Sequence, residues 1–187
     1  KESESIMGSV LGIVKGGWAQ VASVLATTIS FKWFTNINSE MENFKLQIDV
    51  MLKDAEKSKK AMAEFKEYAD KTPFTTPDVV NAGKSLISAQ IDDYQKFLKL
   101  SGDWAAATGK NITEVTSVFA RVQSGQFGEA VERMRELNIS SADLLAQGIR
   151  MSKNNEVLST ADEMMSALEN IINTRFGGMN EKMGNSW

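Results

Sequence analysis

The chain has 187 residues, of which 42% are apolar, 24% charged and 8% aromatic, the make-up of a globular or bundle-forming chain of one or two domains. It contains no cysteine and no histidine, which excludes a disulfide framework, a thiol nucleophile, a structural zinc site and imidazole acid-base chemistry. A formal charge of -3, from 21 basic and 24 acidic residues, supplies no field that would draw a polyanion, so no nucleic-acid contact is expected.

Residues 6–34 form the most apolar stretch, IMGSVLGIVKGGWAQVASVLATTISFKWF, and the one place to suspect a membrane. Lys15 and the Gly16-Gly17 pair interrupt it, leaving neither half with the ~20 unbroken apolar residues that spanning requires. Ile6, Val10, Ile13 and Val14 share one helical face, as do Val21, Val24, Leu25, Thr28 and Ile29. The spacing predicts two amphipathic helical pieces that cover a neighbouring helix, with membrane contact as the alternative.

From Phe34 the apolar residues alternate strictly by three and four: Phe34, Ile37, Met41, Phe44, Ile48, Met51, Ala55, Ser58, Met62, Phe65 and Ala69. Only Ser58 is polar, so the pattern predicts a coiled-coil-like seam on a single helix of roughly 50 Å. With Phe34 at position a, Glu40 and Asp54 fall at g, and Lys45 and Lys59 at the following e, which suits parallel, in-register copies. A hairpin folded back on residues 6–33 satisfies the same periodicity, and the two arrangements stay open.

Pro73 and Pro77, the only prolines, interrupt the pattern and set the expected boundary between a long helical segment, 1–71, and a compact helical domain, 72–187. Thr76 is the expected N-cap of a helix running to about Gln90, with Pro77 at its first position and Asp78 near its positive end. A second helix is expected over 92–108, ending at Gly109. A third starts at Asn111, carries Val115, Val118, Phe119 and Val122 on one face, and stops at Gly125. A fourth spans 128–137 with Val131, Met134 and Leu137 inward, Asn138 in the left-handed position and Ile139 packing back. Ser140 or Ser141 caps a turn through Gly148. A last long helix begins near Ser159, turns Met164, Leu168, Ile171 and Ile172 toward a core, and ends at Gly177-Gly178. The expected fold class is all-α: a long coiled-coil-like rod or hairpin, then a compact bundle of short helices.

The runs EFKEYADKTPFTTPDVVNAGKSLI, DWAAATGKNITEVTSVFARVQSGQFGEAVERMRELNIS and FGGMNEKMGNSW, in that order, resemble the conserved helical region of tape measure proteins from long-tailed bacteriophages and prophages. The resemblance covers residues 36–187 and is carried by Thr72, Pro73, Phe74, Pro77, Asp103, Ala106, Gly109, Gly125, Phe176, Gly177, Gly178 and Met179. Two departures stand out: a shortened loop over 88–92, and Asn138 where glycine is usual. The resemblance implies a structural segment that helps set tail length and template tube assembly, made in the bacterial cytoplasm and housed in the tail lumen. Its implied partners are parallel copies of itself, tail tube and tail-tip proteins and a tail assembly chaperone. It implies no cofactor, metal or catalytic residue. The opening KESES and closing GNSW read as the ends of a segment excised from such a longer chain.

Three sharper readings compete. Glu129, Glu132, Arg133, Arg135 and Glu136 crowd one helix, but carboxylates and arginines three or four residues apart are usually solvated pairs, so no catalytic dyad is expected. Gly125-Gln126-Phe127-Gly128 lacks the lysine and hydroxyl residue of a phosphate loop. Trp18, Trp33, Trp104 and Trp187 read as packing anchors. From a different class, a membrane-active helical module, secretion- or pore-associated, would use residues 6–34.

Overall fold

A computed structural model describes residues 39–184 of the chain, and the expectations for residues 6–34, for Phe34 and Ile37 of the seam, and for Trp18, Trp33 and Trp187 lie outside that range. The described residues form helices α1 (Ser39–Leu52), α2 (Ala55–Asp70), α3 (Thr76–Ser88), α4 (Tyr94–Thr108) and α5 (Ile112–Gln123). They continue with α6 (Phe127–Glu136), α7 (Ser141–Ala146), α8 (Ala161–Phe176) and α9 (Met179–Gly184). Among the described residues the only strand-like pairing is an isolated bridge between Met151 and Val157. The described residues adopt the expected all-α class, but as a compact helical bundle and not as a long rod.

The single helix expected over 34–69 is broken at Lys53. Lys53 takes a left-handed backbone with φ 51°, and Asp54 turns extended, φ -153°, to cap α2 by accepting from the N–H groups of Glu56 and Lys57, both at 3.0 Å. An aspartate spaced to cap the following turn competes with helix continuation, and here the cap wins. The proposed g-position role of Asp54 is thereby displaced, its carboxylate held below its ordinary range chiefly by the Lys57 N–H.

Contacts divide the chain between Leu46 and Gln47, so the expected boundary at 71/72 falls inside the larger unit, where α2 and α3 pack together. Of the smaller unit the structure describes the start of α1, in which Met41 is half-buried and Phe44 buried. The larger unit buries the rest of the seam unevenly: Ile48, Ser58, Met62, Phe65 and Ala69 are buried, whereas Met51 and Ala55, on either side of the break, are exposed. Phe65 stands edge-on to Tyr94 with centroids 5.9 Å apart, and its ring covers Gly83 of α3 so closely that a Cβ there would collide with it. This half of the seam is a conventional helix-helix contact inside one chain.

The most extensive contact joins α3 to α5, and α4 is the hub, touching α3, α5, α8 and α9. Its sequence is apolar nearly all round, with Phe97, Leu98 and Leu100 to Ala106 buried, as a helix with neighbours on every side must be. Trp104 is fully buried, stacks edge-on to Phe119, and donates its indole N–H to the Leu137 carbonyl at 2.7 Å.

Helix ends follow the expected punctuation with small shifts. Thr75, rather than Thr76, caps α3 through the Asp78 N–H, and Pro77 is the second helical residue. The helix expected to Gln90 ends at Ser88, because Gln90 turns left-handed, φ 58°, and Ile91 N–H reaches back to the Leu86 carbonyl at 3.2 Å. Asn111 caps α5. Asn138 ends α6 with φ 65°, and Ile139, fully buried, donates to the Met134 carbonyl at 2.8 Å. Ser140 with Asp143, and Thr160 with Glu163, form reciprocal capping boxes. Both carboxylates sit below their ordinary range: Asp143 through the Ser140 N–H first and then its hydroxyl, Glu163 through the Thr160 N–H first.

Candidate functional site

Asp103 is the one acidic side chain buried among the described residues, 3% exposed in the middle of the hub helix. A carboxylate in such surroundings must be saturated with donors, and the donors come from the far end of the chain. Its Oδ1 accepts the Asn180 N–H at 3.0 Å and its Oδ2 the Gly178 N–H at 3.1 Å. The carboxylate therefore caps α9 from another helix, satisfying backbone donors that a helix start leaves orphaned and meeting the positive end of its dipole. Charge-assisted bonds of this kind contribute about 1.5–3 kcal/mol each when removal leaves the charge buried.

Tyr68 of α2 completes the arrangement. The Asn180 Nδ2 donates to the Tyr68 hydroxyl at 2.6 Å, and the hydroxyl donates weakly, at 3.5 Å, to the Leu98 carbonyl of α4. Burial first, then the charges of Asp103 and Glu181, push the Tyr68 phenol well above its ordinary range, so it stays neutral and able to donate. The hydroxyl approaches α4 where residue 102 is glycine; a Cβ at Gly102 would occupy its position. At the other end of α9 the Gly184 backbone lies against Lys71 and Thr72, again with no room for a Cβ.

Of the residues singled out in the sequence, Asp103 and Gly178 meet at the start of α9, Thr72 lies against its last residue, Gly184, and Gly177 turns against the Asn173 carbonyl. Pro73 is exposed and Phe74 half-buried in the turn that follows Thr72, and Pro77 opens α3. Gly109 and Gly125 lie elsewhere, each holding a left-handed helix end, with φ 66° and 76°. Sequence reasoning missed Tyr68, Gly102 and Asn180. The signal available was Asp103 itself, because an acid in LKLSGDWAAA, with Leu100, Trp104 and three alanines about it, has to find donors.

No family model, curated protein or solved structure gives a significant match to this chain. Function is therefore argued from its own residues. The arrangement around Asp103 ties its carboxylate to backbone donors of α9, and its chemistry is that of a clasp. Among the described residues no group of three or more acidic side chains is placed to hold a metal ion. On α6, Arg133 meets Glu136 at 2.7 Å and Glu129 meets Arg121 of α5 at 3.2 Å; Arg121, Arg133 and Glu136 line a surface groove of about 330 Å³ between the two helices. A second groove, of about 370 Å³, lies where Lys96 of α4 reaches Glu169 of α8 at 2.9 Å.

Proposed function

We propose that this chain is a structural segment of a tail tape measure protein from a long-tailed bacteriophage or prophage, part of a longer protein that sets tail length and templates assembly of the tail tube. The observation that carries the reading is the character of the matched residues. Asp103 meets Gly178 at one end of α9 and Thr72 lies against Gly184 at the other, and with Gly177 they serve to set backbone geometry. The all-helical fold supports it, since a helix converts residues into distance at a fixed ~1.5 Å each. In this reading the ruler is the helical remainder of the parent chain, and residues 47–184 are a folded knot along it.

The test is in-frame deletion of helical heptads from the complete protein outside this knot. Tails should shorten by about 1.5 Å per deleted residue in electron micrographs, and unchanged lengths would overturn the reading. A parent scarcely longer than this chain would do the same.

The alternative, a membrane-active module, is favoured by the apolar stretch 6–34. Among the described residues no helix is long and apolar enough to cross a membrane. Liposome co-sedimentation with and without residues 1–34 separates the two: robust binding lost on truncation favours the module.

A further inference from the structure

The joint around Asp103 differs from the packed core of the larger unit in what holds it. Where α5 buries Ile112, Val115, Thr116, Val118, Phe119 and Val122, α9 buries only Asn180. Met179 is 37% exposed and Met183 half-buried, so α9 lays two methionines against the bundle but sinks no apolar side chain fully into the core. Its polar attachment is two backbone N–H groups on the Asp103 carboxylate, one side-chain amide on the Tyr68 hydroxyl and an exposed ion pair, at 3.5 Å, between Glu181 and Lys99 of α4. The bond network is also incomplete, because Asn180 Oδ1 and Thr72 Oγ1 are buried with no hydrogen-bond partner. Both oxygens, and the Asp103 carboxylate, gain water if α9 lifts away, which offsets part of what is lost. Finally, α9 is joined to α8 by Gly177, with φ -54° and ψ 130°, and Gly178, with φ 75°, a non-helical pair free to swing.

We propose that α9, with its glycine pair, is a strap that opens and closes on the face formed by α2 and α4 as a unit separate from the bundle, with Asp103 as its latch. Opening bares the Asp103 carboxylate and the Tyr68 hydroxyl while the core around Trp104 and Phe119 stays packed. The device depends only on these contacts and stands whether or not the tape measure reading does.

Hydrogen exchange on the full chain tests it. The amides of residues 178–184 should exchange together, about a hundredfold or more faster than those of Val115, Phe119 and Val122, and at a rate that sub-denaturing urea barely changes; the α5 amides should accelerate steeply with urea. In Asp103→Asn, one acceptor is replaced by a donor facing an N–H, and strap exchange should rise about tenfold or more while remaining insensitive to urea. In Tyr68→Phe, which keeps the ring, a smaller acceleration is expected. The proposal is overturned if strap and α5 amides share one rate and one urea dependence, or if exchange is merely graded inward from Gly184 and leaves the Asn180 amide as protected as the core. It is equally overturned if Asp103→Asn leaves strap exchange unchanged or unfolds the bundle outright.

Discussion

The contact between Phe65 and Gly83 offers a double-mutant cycle that tells an intramolecular core from a seam awaiting another copy. Phe65 is 1% exposed, lies edge-on to Tyr94 and presses its ring on the Gly83 backbone. Truncation to alanine should cost about 3–5 kcal/mol, the usual range for emptying a buried phenylalanine site. With a urea slope of about 2 kcal/mol per molar for a unit of this size, the unfolding midpoint drops by about 2 M. Gly83→Ala puts a methyl where the ring stands and should cost about 1–3 kcal/mol through overpacking. In the double variant the methyl occupies space the ring has left, so its loss should fall short of the sum by about 1–2 kcal/mol. The assay is urea unfolding followed by circular dichroism, with sedimentation velocity on each variant. Strict additivity would refute the packing described for α2 on α3. So would a Phe65→Ala protein whose midpoint is unchanged while its oligomeric state shifts, the signature of a self-association seam.

Three further outcomes are expected. Trp104→Phe leaves the buried Leu137 carbonyl without its donor and a gap beside Phe119, and should cost about 2–4 kcal/mol in urea unfolding. Lys53→Gly relieves a left-handed lysine and should stabilise by about 1 kcal/mol, whereas Asp54→Ala should destabilise by removing the α2 cap; a destabilised Lys53→Gly would show that the break at this joint is misplaced. The capping carboxylates Asp143 and Glu163 ionise more readily in the folded chain than in the unfolded one, so they stabilise fully above the ordinary carboxylate range and lose that contribution as pH falls below it toward their lowered folded values. The urea midpoint should therefore decline from pH 5 to pH 3, and the decline should shrink in Asp143→Asn and in Glu163→Gln.

Helix ends and buried faces were legible in the sequence because their causes are local. Asn111, Asn138 and Ser140 act within one turn of themselves, and the spacing of Val115, Val118, Phe119 and Val122 declares a face whatever it meets. The rod was misread because a three-four alternation is equally consistent with a long helix and with two helices whose break preserves the phase. Lysine gives no warning of a left-handed turn, and only Asp54, two residues before Glu56, hinted at a restart. The joint at Asp103 was invisible for a different reason. Its bonds span 75 residues to Gly178 and 77 to Asn180, and nothing in a local window says which backbone amides will come to a buried charge. The half-legible part was that such a charge needs partners at all.

The clasp at Gly184 also fixes how force would pass through the molecule. The backbone leaves α9 against Lys71, at the C-terminal end of α2, while it comes into α2 at Ala55, about fifteen residues and roughly 22 Å earlier along the same helix. Before Ala55 the chain has already entered the larger unit through residues 47–52 of α1, held to α3 by Gln47 and Met51 and by buried Ile48. A pull on the segment leaving α9 therefore loads Tyr68, Asp103 and Asn180 before the apolar interior, so extension from that side should begin with the short length held by the clasp.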